Sequence, residues 1–364
     1  MKILHILYSG LGGHGNIFFS MAKADREKVF QYEAIFCGVE NVRAEYVERC
    51  VAMGIPYSYI KKNPGKHFAF LQEISSAIQA SKPDIIFLHG SIHIYAASLA
   101  RLKSGSRSKI VIRETQAMEL KTRKEKLSLW LAMSLADKIV FLSDQYQATV
   151  KQRMGSFYRN QKAVVIPNGI DLEFFKGEKS PVDYSVITIG MASRLVDIKD
   201  HATLIKSIGI IKKQRPRFQT RLVLAGDGET MGQLKALSAK LELDDNIVFT
   251  GTLNENELVK FYQSLDIYVH ASFGETMSTS IMQAMACELP VIASDVDGIN
   301  NMIQHQANGI LVPTKEPEKL AGEIILLIDD AQRRQALASA AREYAEQHFS
   351  NDQMWKQYAA IFKN

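Results

Sequence analysis

Residues 270–293 read HASFGETMSTSIMQAMACELPVIA. Overlapping their start, LDIYVHAS (265–272) is an apolar run of strand length, and within them SIMQAMACE (280–288) has helical composition. Between the two stands a single carboxylate, Glu275, followed by threonines and serines. A strand that ends near a carboxylate and then opens a helix is suited to a polyol phosphate. The helix start offers unpaired backbone N–H groups and a positive dipole end to a phosphate. The carboxylate accepts hydrogen bonds from sugar hydroxyls.

Working outward, short strand-like runs alternate with helical segments along the whole chain. In the front half these are KILHILY (2–8), QYEAIFCGV (31–39), DIIFLHG (84–90), KIVIRET (109–115) and KIVFLS (138–143), and AVVIPNGID (163–171) closes the half with a turn signal at Asn168-Gly169. After FKGEKSPVD (175–183) a second series follows: SVITIGMAS (185–193), RLVLAG (221–226), NIVFTG (246–251), DIYVHAS (266–272) and LPVIAS (289–294). Strands separated by helical patterns point to parallel sheets covered by helices. Two doubly wound domains in tandem are the expected architecture, with ligands at the carboxyl ends of the strands. The tail FSNDQMWKQYAAIFKN reads as an amphipathic helix with Trp355, Tyr358 and Ile361 on one face.

Composition sets the class. The 364 residues suffice for two α/β domains, and a hydrophobic fraction of 46% with 23% charged residues is that of an ordinary soluble protein. Cys37, Cys50 and Cys287 lie far apart with no C-x-x-C pair, so neither a disulfide framework nor a zinc site is expected, and a reducing cytoplasm fits. MKILHILYSGLGG reads as a first strand rather than a signal peptide, and no window approaches the roughly 18 apolar residues of a membrane span. Residues 1–170 carry 24 Lys and Arg against 13 Asp and Glu, a balance of +11, and the remainder balances at −6. A basic front half either faces something anionic, such as a lipid surface or a pyrophosphate, or serves solubility. The segment KTRKEKLSLWLAMSLA (121–136) has the same two readings: a basic amphipathic helix on an anionic membrane interface, or a helix packing its leucines on the sheet.

Two loops could carry chemistry. GLGGHG (10–15) satisfies G-x-G-x-x-G with Gly10, Gly12 and Gly15, yet no acid ends the next strand to hold a ribose. What survives is that Gly12 and Gly13 let the backbone approach another molecule closely. In GMASRLVDIKDHATLIKSI (190–208), Arg194 and Lys199 share one loop before a helix. Two such cations could stabilise a diphosphate leaving group without a metal. His89, after the apolar strand, sits at a carboxyl strand end, where it would line a ligand crevice or pack as a core residue. SDVDG (294–298) contains D-x-D, and its place after a strand favours a structural or acceptor-adjacent role over metal binding.

These segments together resemble the retaining glycosyltransferases of family 4. Glu275 stands at the first acidic position of that family's E-x7-E motif, and Gln283 replaces the second. G-x-x-S-R-L followed by K-D-H is similar to its G-R-L…K-G motif, IPNGIDLEFF (166–175) to its interdomain segment, and LVLAGDGE (222–229) with IVFTGTLNENEL (247–258) to the pair flanking the nucleotide base. The likeness spans the second half; the front half matches loosely through the glycine loop, PDIIFLHG and ADKIVFLS. Where the family commonly has a further His, this chain reads RETQAM, with Arg113, Glu114 and Thr115.

The resemblance implies a GT-B fold of two Rossmann-like domains facing across a cleft: an acceptor-binding domain over 1–170, a nucleotide-sugar domain over 171–349, and a helix at 350–364 returning to the first. It implies metal-independent, cofactor-free transfer from a UDP-linked sugar to a glycan or polyprenyl-diphosphate-linked glycan in bacterial surface polysaccharide synthesis such as lipopolysaccharide. A cytoplasmic protein, peripheral on the membrane's inner face and with no nucleic acid partner, would suit that task. Glu275, Arg194, Lys199 and His89 are the expected catalytic residues. The donor would meet Gly12, Gly13, Arg194, Lys199, Gly226, Thr252, Leu253, Glu275, Met277, Ser278, Thr279, Ser280 and Gln283. A sugar-nucleotide epimerase of the same architecture and a catalytically silent sugar-nucleotide binding subunit are the alternatives, and an NAD-dependent oxidoreductase rests on GLGGHG alone.

Overall fold

The computed structural model describes residues 1–10, 13–177, 186–216 and 219–363, apart from the Glu119 side chain. The chain divides into two compact units, Met1–Gly169 with Asn351–Asn364, and Ile170–Ser350.

The first unit is built on a seven-stranded sheet. Its strands are β1 (Lys2–Tyr8), β2 (Gln31–Gly38), β3 (Tyr57–Lys61), β4 (Ile85–Leu88), β5 (Lys109–Arg113), β6 (Lys138–Phe141) and β7 (Ala163–Val165). Helices α1 (Gly13–Ala24), α2 (Ala44–Met53), α3 (His67–Ser81), α4 (Ile94–Ser104), α5 (Arg123–Leu135) and α6 (Asp144–Met154) connect them. The order is β3-β2-β1-β4-β5-β6-β7 and every pairing is parallel. Strands such as β4 (IIFL) are buried at every position because helices cover both faces of the sheet.

The second unit repeats the plan with β8 (Val186–Ala192), β9 (Gln219–Ala225), β10 (Ile247–Gly251), β11 (Ile267–His270), β12 (Val291–Ser294) and β13 (Ile310–Val312). Its helices are α7 (His201–Gln214), α8 (Met231–Lys240), α9 (Glu255–Gln263), α10 (Thr279–Ala286), α11 (Pro317–Asp329) and α12 (Ala331–His348). The six-stranded order β10-β9-β8-β11-β12-β13 is again all parallel. Local sequence sets the helix starts: Asn254 and Glu257 form a capping box on α9, as Thr122 and Glu125 do on α5.

In each unit the strand order reverses beside the first strand, between β1 and β4 and between β8 and β11. Loops leaving the two strands at such a point turn to opposite faces of the sheet and leave a crevice at the carboxyl edge. Two short edge elements were absent from the sequence reading. β3 (YSYIK) has only Ile60 buried, and β13 is three residues long, so neither shows the apolar run of a central strand.

A last helix, α13 (Asn351–Lys363), packs on the first unit. Its buried stripe is Met354, Tyr358 and Phe362, with Trp355 and Ile361 half-buried at the edges, a rotation from the face read in the sequence. These side chains close a cluster with Ile3, Ile17, Phe30 and Phe87. The Phe362 ring lies 5.5 Å from Phe30 and 5.8 Å from Phe87. Phe362→Ala should lower the denaturant stability of the first unit by about 3–5 kcal/mol, the usual cost of emptying an aromatic core site. The transition of the second unit should be unmoved in the same titration.

Candidate active site

The loop after β8 and the loop after β11 are sewn together at the carboxyl edge of the second sheet. The amide of Asp200 donates to the Ala271 carbonyl at 3.0 Å, and that of Phe273 to the Ile198 carbonyl at 2.9 Å. The Ser272 hydroxyl also reaches the Ile198 carbonyl, at 3.2 Å. From below, the 226–229 turn presses on the first of these loops. Gly226 has φ +139°, and a Cβ there would sit 1.9 Å from the Ser193 carbonyl oxygen, so this glycine allows a contact no side chain would permit.

This seam brings Lys199 and Glu275 into contact. The Lys199 ammonium donates to Glu275 Oε1, and the same oxygen lies 2.9 Å from His270 Nε2. Both members of the ion pair are largely covered. Burial, reinforced by the neighbouring Arg194 charge, draws the Lys199 ammonium down to about 7, and the touching carboxylate pulls the other way. Burial likewise holds the His270 imidazole well below its ordinary value, helped by the Lys199 charge. Arg194 stands exposed on the same loop. From behind, Gly298 (φ +83°) lets the 294–298 turn pack on Glu275: a Cβ there would meet the Glu275 carbonyl oxygen at 2.2 Å. The D-x-D segment thus buttresses this loop.

The start of α10 lies just beyond. Ser278 caps it, its side chain accepting from the Ile281 amide, and Thr279 and Ser280 are its half-buried first residues. Met277 packs half-buried on the core. Gln283 is buried, and its Oε1 accepts the Tyr262 hydroxyl at 3.1 Å, which leaves the NH2 as its donor group. Thr252 is exposed and Leu253 half-buried immediately after β10.

In the first unit, Gly12 of the glycine loop lies outside the described residues. A Cβ on Gly13 would enter open space, whereas one on Gly10 or Gly15 would collide with Glu40 or the Tyr46 ring. Gly10 and Gly15 are therefore small for packing. His89 is buried at the end of β4, 3.0 Å from His5 Nδ1, and burial keeps both imidazoles neutral, His5 at about 3. Beyond β5, the Arg113 guanidinium donates to Asn168, and Glu114 accepts from Lys121 at 2.6 Å in a fully buried ion pair. On α5, Leu129, Ala132 and Met133 are buried, but Leu127 and Trp130 are exposed, Trp130 against Phe157 with ring centroids 4.6 Å apart.

The sequence reading missed His270, Tyr262 and Tyr268. The signal available for the first was a lone imidazole closing an otherwise apolar strand, five residues before the carboxylate.

Two Rossmann-like units of this kind define the GT-B fold, and solved structures agree. Over the full length of both chains the structure is similar to Anabaena HepE in complex with UDP and glucose, with a TM-score of 0.85 at 22% identity. The family Glycosyl transferases group 1 matches residues 174–344, and Glycosyltransferase Family 4 matches residues 11–174. Residues 11–174 and 174–344 belong to these two glycosyltransferase families, the patterns meeting end to end across both units. An uncharacterized glycosyltransferase of Methanocaldococcus jannaschii is 26% identical over 66% of this chain and 63% of its own. A D-inositol 3-phosphate glycosyltransferase of Pseudarthrobacter chlorophenolicus is 28% identical over 54% and 48%. The chain thus spans about half to two thirds of the length of these relatives.

Proposed function

We propose that this chain is a retaining glycosyltransferase that moves a hexosyl or N-acetylhexosaminyl group from a UDP-linked donor to a glycan or polyprenyl-diphosphate-linked glycan during surface polysaccharide synthesis. The observation that carries the reading is the meeting of Lys199 and Glu275 beside the start of α10, at the β8/β11 reversal. A cation, a carboxylate and unpaired helix N–H groups are what a sugar diphosphate requires at adjoining points. HepE, solved with UDP and glucose, supports the donor class.

In this reading Arg194 and Lys199, with the Thr279 and Ser280 N–H groups, take the charge that builds on the diphosphate as its bond to the anomeric carbon breaks. These cations do the work a metal ion would otherwise do. Glu275 holds sugar hydroxyls and Gln283 donates to the ribose, while the turns at Gly226 and at Thr252-Leu253 flank the base. The acceptor hydroxyl attacks from the face the diphosphate leaves, and its proton passes to the departing phosphate oxygen. Configuration is thereby retained without a dedicated protein base. The first unit, whose His89 lies at the carboxyl edge of its sheet, takes the acceptor.

Attachment of the first unit to an anionic membrane surface is part of the proposal. It rests on the +11 balance of the front half and on Leu127 and Trp130 standing exposed behind the basic start of α5. Among the described residues no helix is long and apolar enough to cross a membrane. Binding to anionic vesicles should weaken as salt rises; equal binding to neutral and anionic vesicles, or to neither, would refute the attachment.

The donor assignment is tested by calorimetry with UDP and UDP-glucose beside a turnover assay. Glu275→Gln should cut turnover far more than it cuts UDP affinity, since UDP carries no sugar for the carboxylate to hold. A loss of UDP binding as severe as the loss of turnover would show that Glu275 does not act at the sugar.

The pH dependence has a definite sign. The charged form of Lys199 binds diphosphate, and that form declines as pH rises through about 7. UDP-glucose affinity, measured from about pH 6 to about 9, should therefore fall with rising pH in the wild type and stay level in Lys199→Arg, whose guanidinium remains charged. A level wild-type curve would show that Lys199 keeps its charge over this range; Lys199→Ala, which should weaken UDP-glucose at every pH, then tests its place at the diphosphate.

A further inference from the structure

His270 is the last residue of β11 and is wholly buried, and its two ring nitrogens have different partners. The Tyr268 hydroxyl lies 3.2 Å from Nδ1, and Glu275 Oε1 lies 2.9 Å from Nε2. A carboxylate can only accept, and at 2.9 Å it lies nearer than the Lys199 ammonium, 3.5 Å from the same nitrogen, so the proton belongs on Nε2. Nδ1 then accepts the Tyr268 O–H, which is nearer to it than to the Ala192 carbonyl at 3.4 Å. The Ser278 hydroxyl that caps α10 is 3.4 Å from the same Nε2. Burial keeps the ring neutral beside the Lys199 charge.

Two groups thus hold Oε1 of Glu275, and they differ in kind. The Lys199 ammonium is a point charge on a flexible stem and imposes little direction. The His270 N–H projects from a buried strand, steadied from behind by Tyr268, and fixes the plane of the carboxylate. The second oxygen, Oε2, is left for a ligand.

We propose that His270 is a positioning residue: its Nε2–H, aligned by Tyr268, holds one oxygen of Glu275 so that the other meets the hydroxyls of a donor-borne sugar. This role rests on the assignment of Glu275 to the sugar. It explains why a polar ring closes an otherwise apolar strand, and it links the carboxylate to the cap of the helix that would bind the phosphate.

The test uses His270→Leu, which removes the N–H, and His270→Gln, which keeps one at similar reach. In wild-type protein labelled with 15N-histidine, the His270 signal, assigned by its absence from the variants, should report a neutral ring protonated at Nε2 at neutral pH. His270→Leu should weaken UDP-glucose about tenfold, as expected for one hydrogen bond to a charged group, while UDP affinity changes less than about twofold. His270→Gln should recover most of that loss. A ring protonated at Nδ1, or equal weakening of UDP and UDP-glucose in both variants, overturns the positioning role; the second result marks a packing residue. If His270→Leu does not fold, the tautomer and His270→Gln still decide: a Gln variant that holds UDP-glucose no better than UDP overturns the role. Failure of the wild type to bind either nucleotide would instead overturn the donor assignment, and this role with it.

Discussion

Every strand pairing in both sheets is parallel. Each connection must therefore travel back along the sheet, and every carboxyl end falls on one edge. Among the described residues strand order reverses once per sheet, and there the neighbouring loops part. Lys199 and Glu275 are 76 residues apart in sequence and meet because their strands, β8 and β11, flank that place. The backbone seam between Ile198, Asp200, Ala271 and Phe273 then removes the remaining freedom of the two loops.

Electrostatics divides the two units. In the first, the Lys121–Glu114 pair is fully buried, Glu114 taking further bonds from the Thr115 and Gln116 amides. Such a pair is held by its surroundings and is costly to part, because either charge left alone would be desolvated. In the second, the Lys199–Glu275 pair keeps some access to solvent, with side-chain exposures of 13% and 17%. A polyanion arriving there offers Lys199 a replacement partner, and the carboxylate retains His270. The partly exposed pair can be parted at less cost than the buried one.

Most strands were legible because burial on both faces turns them into unbroken apolar runs, as in IIFL and VIAS. The edge strands β3 and β13 were not, since YSYIK faces outward and ILV is too short to stand out. Arg194, Lys199 and Glu275 could be read as charges placed at strand ends beside glycine turns and a helix start. The partners of those charges could not. Nothing in the spacing of Tyr262 and Gln283 shows that the phenol and the amide meet, because α9, β11 and a loop intervene. Gln283 looked like an acid exchanged for an amide, yet its oxygen is engaged by a tyrosine that a sequence scan would file as core. His5 and His89 raise the same difficulty: 84 positions apart, they touch only because β1 and β4 are neighbours.

The helix α13 gives the first unit a discontinuous origin. Ile170–Ser350 is a single stretch, whereas the sheet of the first unit lies in Met1–Gly169 and part of the cover for one of its faces, beside α1, in Asn351–Asn364. During synthesis, domains ordinarily mature in the order in which they leave the ribosome. Here that order is inverted at the final step. A nascent chain halted before Asn351 holds the whole second unit, while Ile3, Ile17, Phe30 and Phe87 still lack Met354, Tyr358 and Phe362. The half that emerges first is completed last, and until then part of its core lacks its cover.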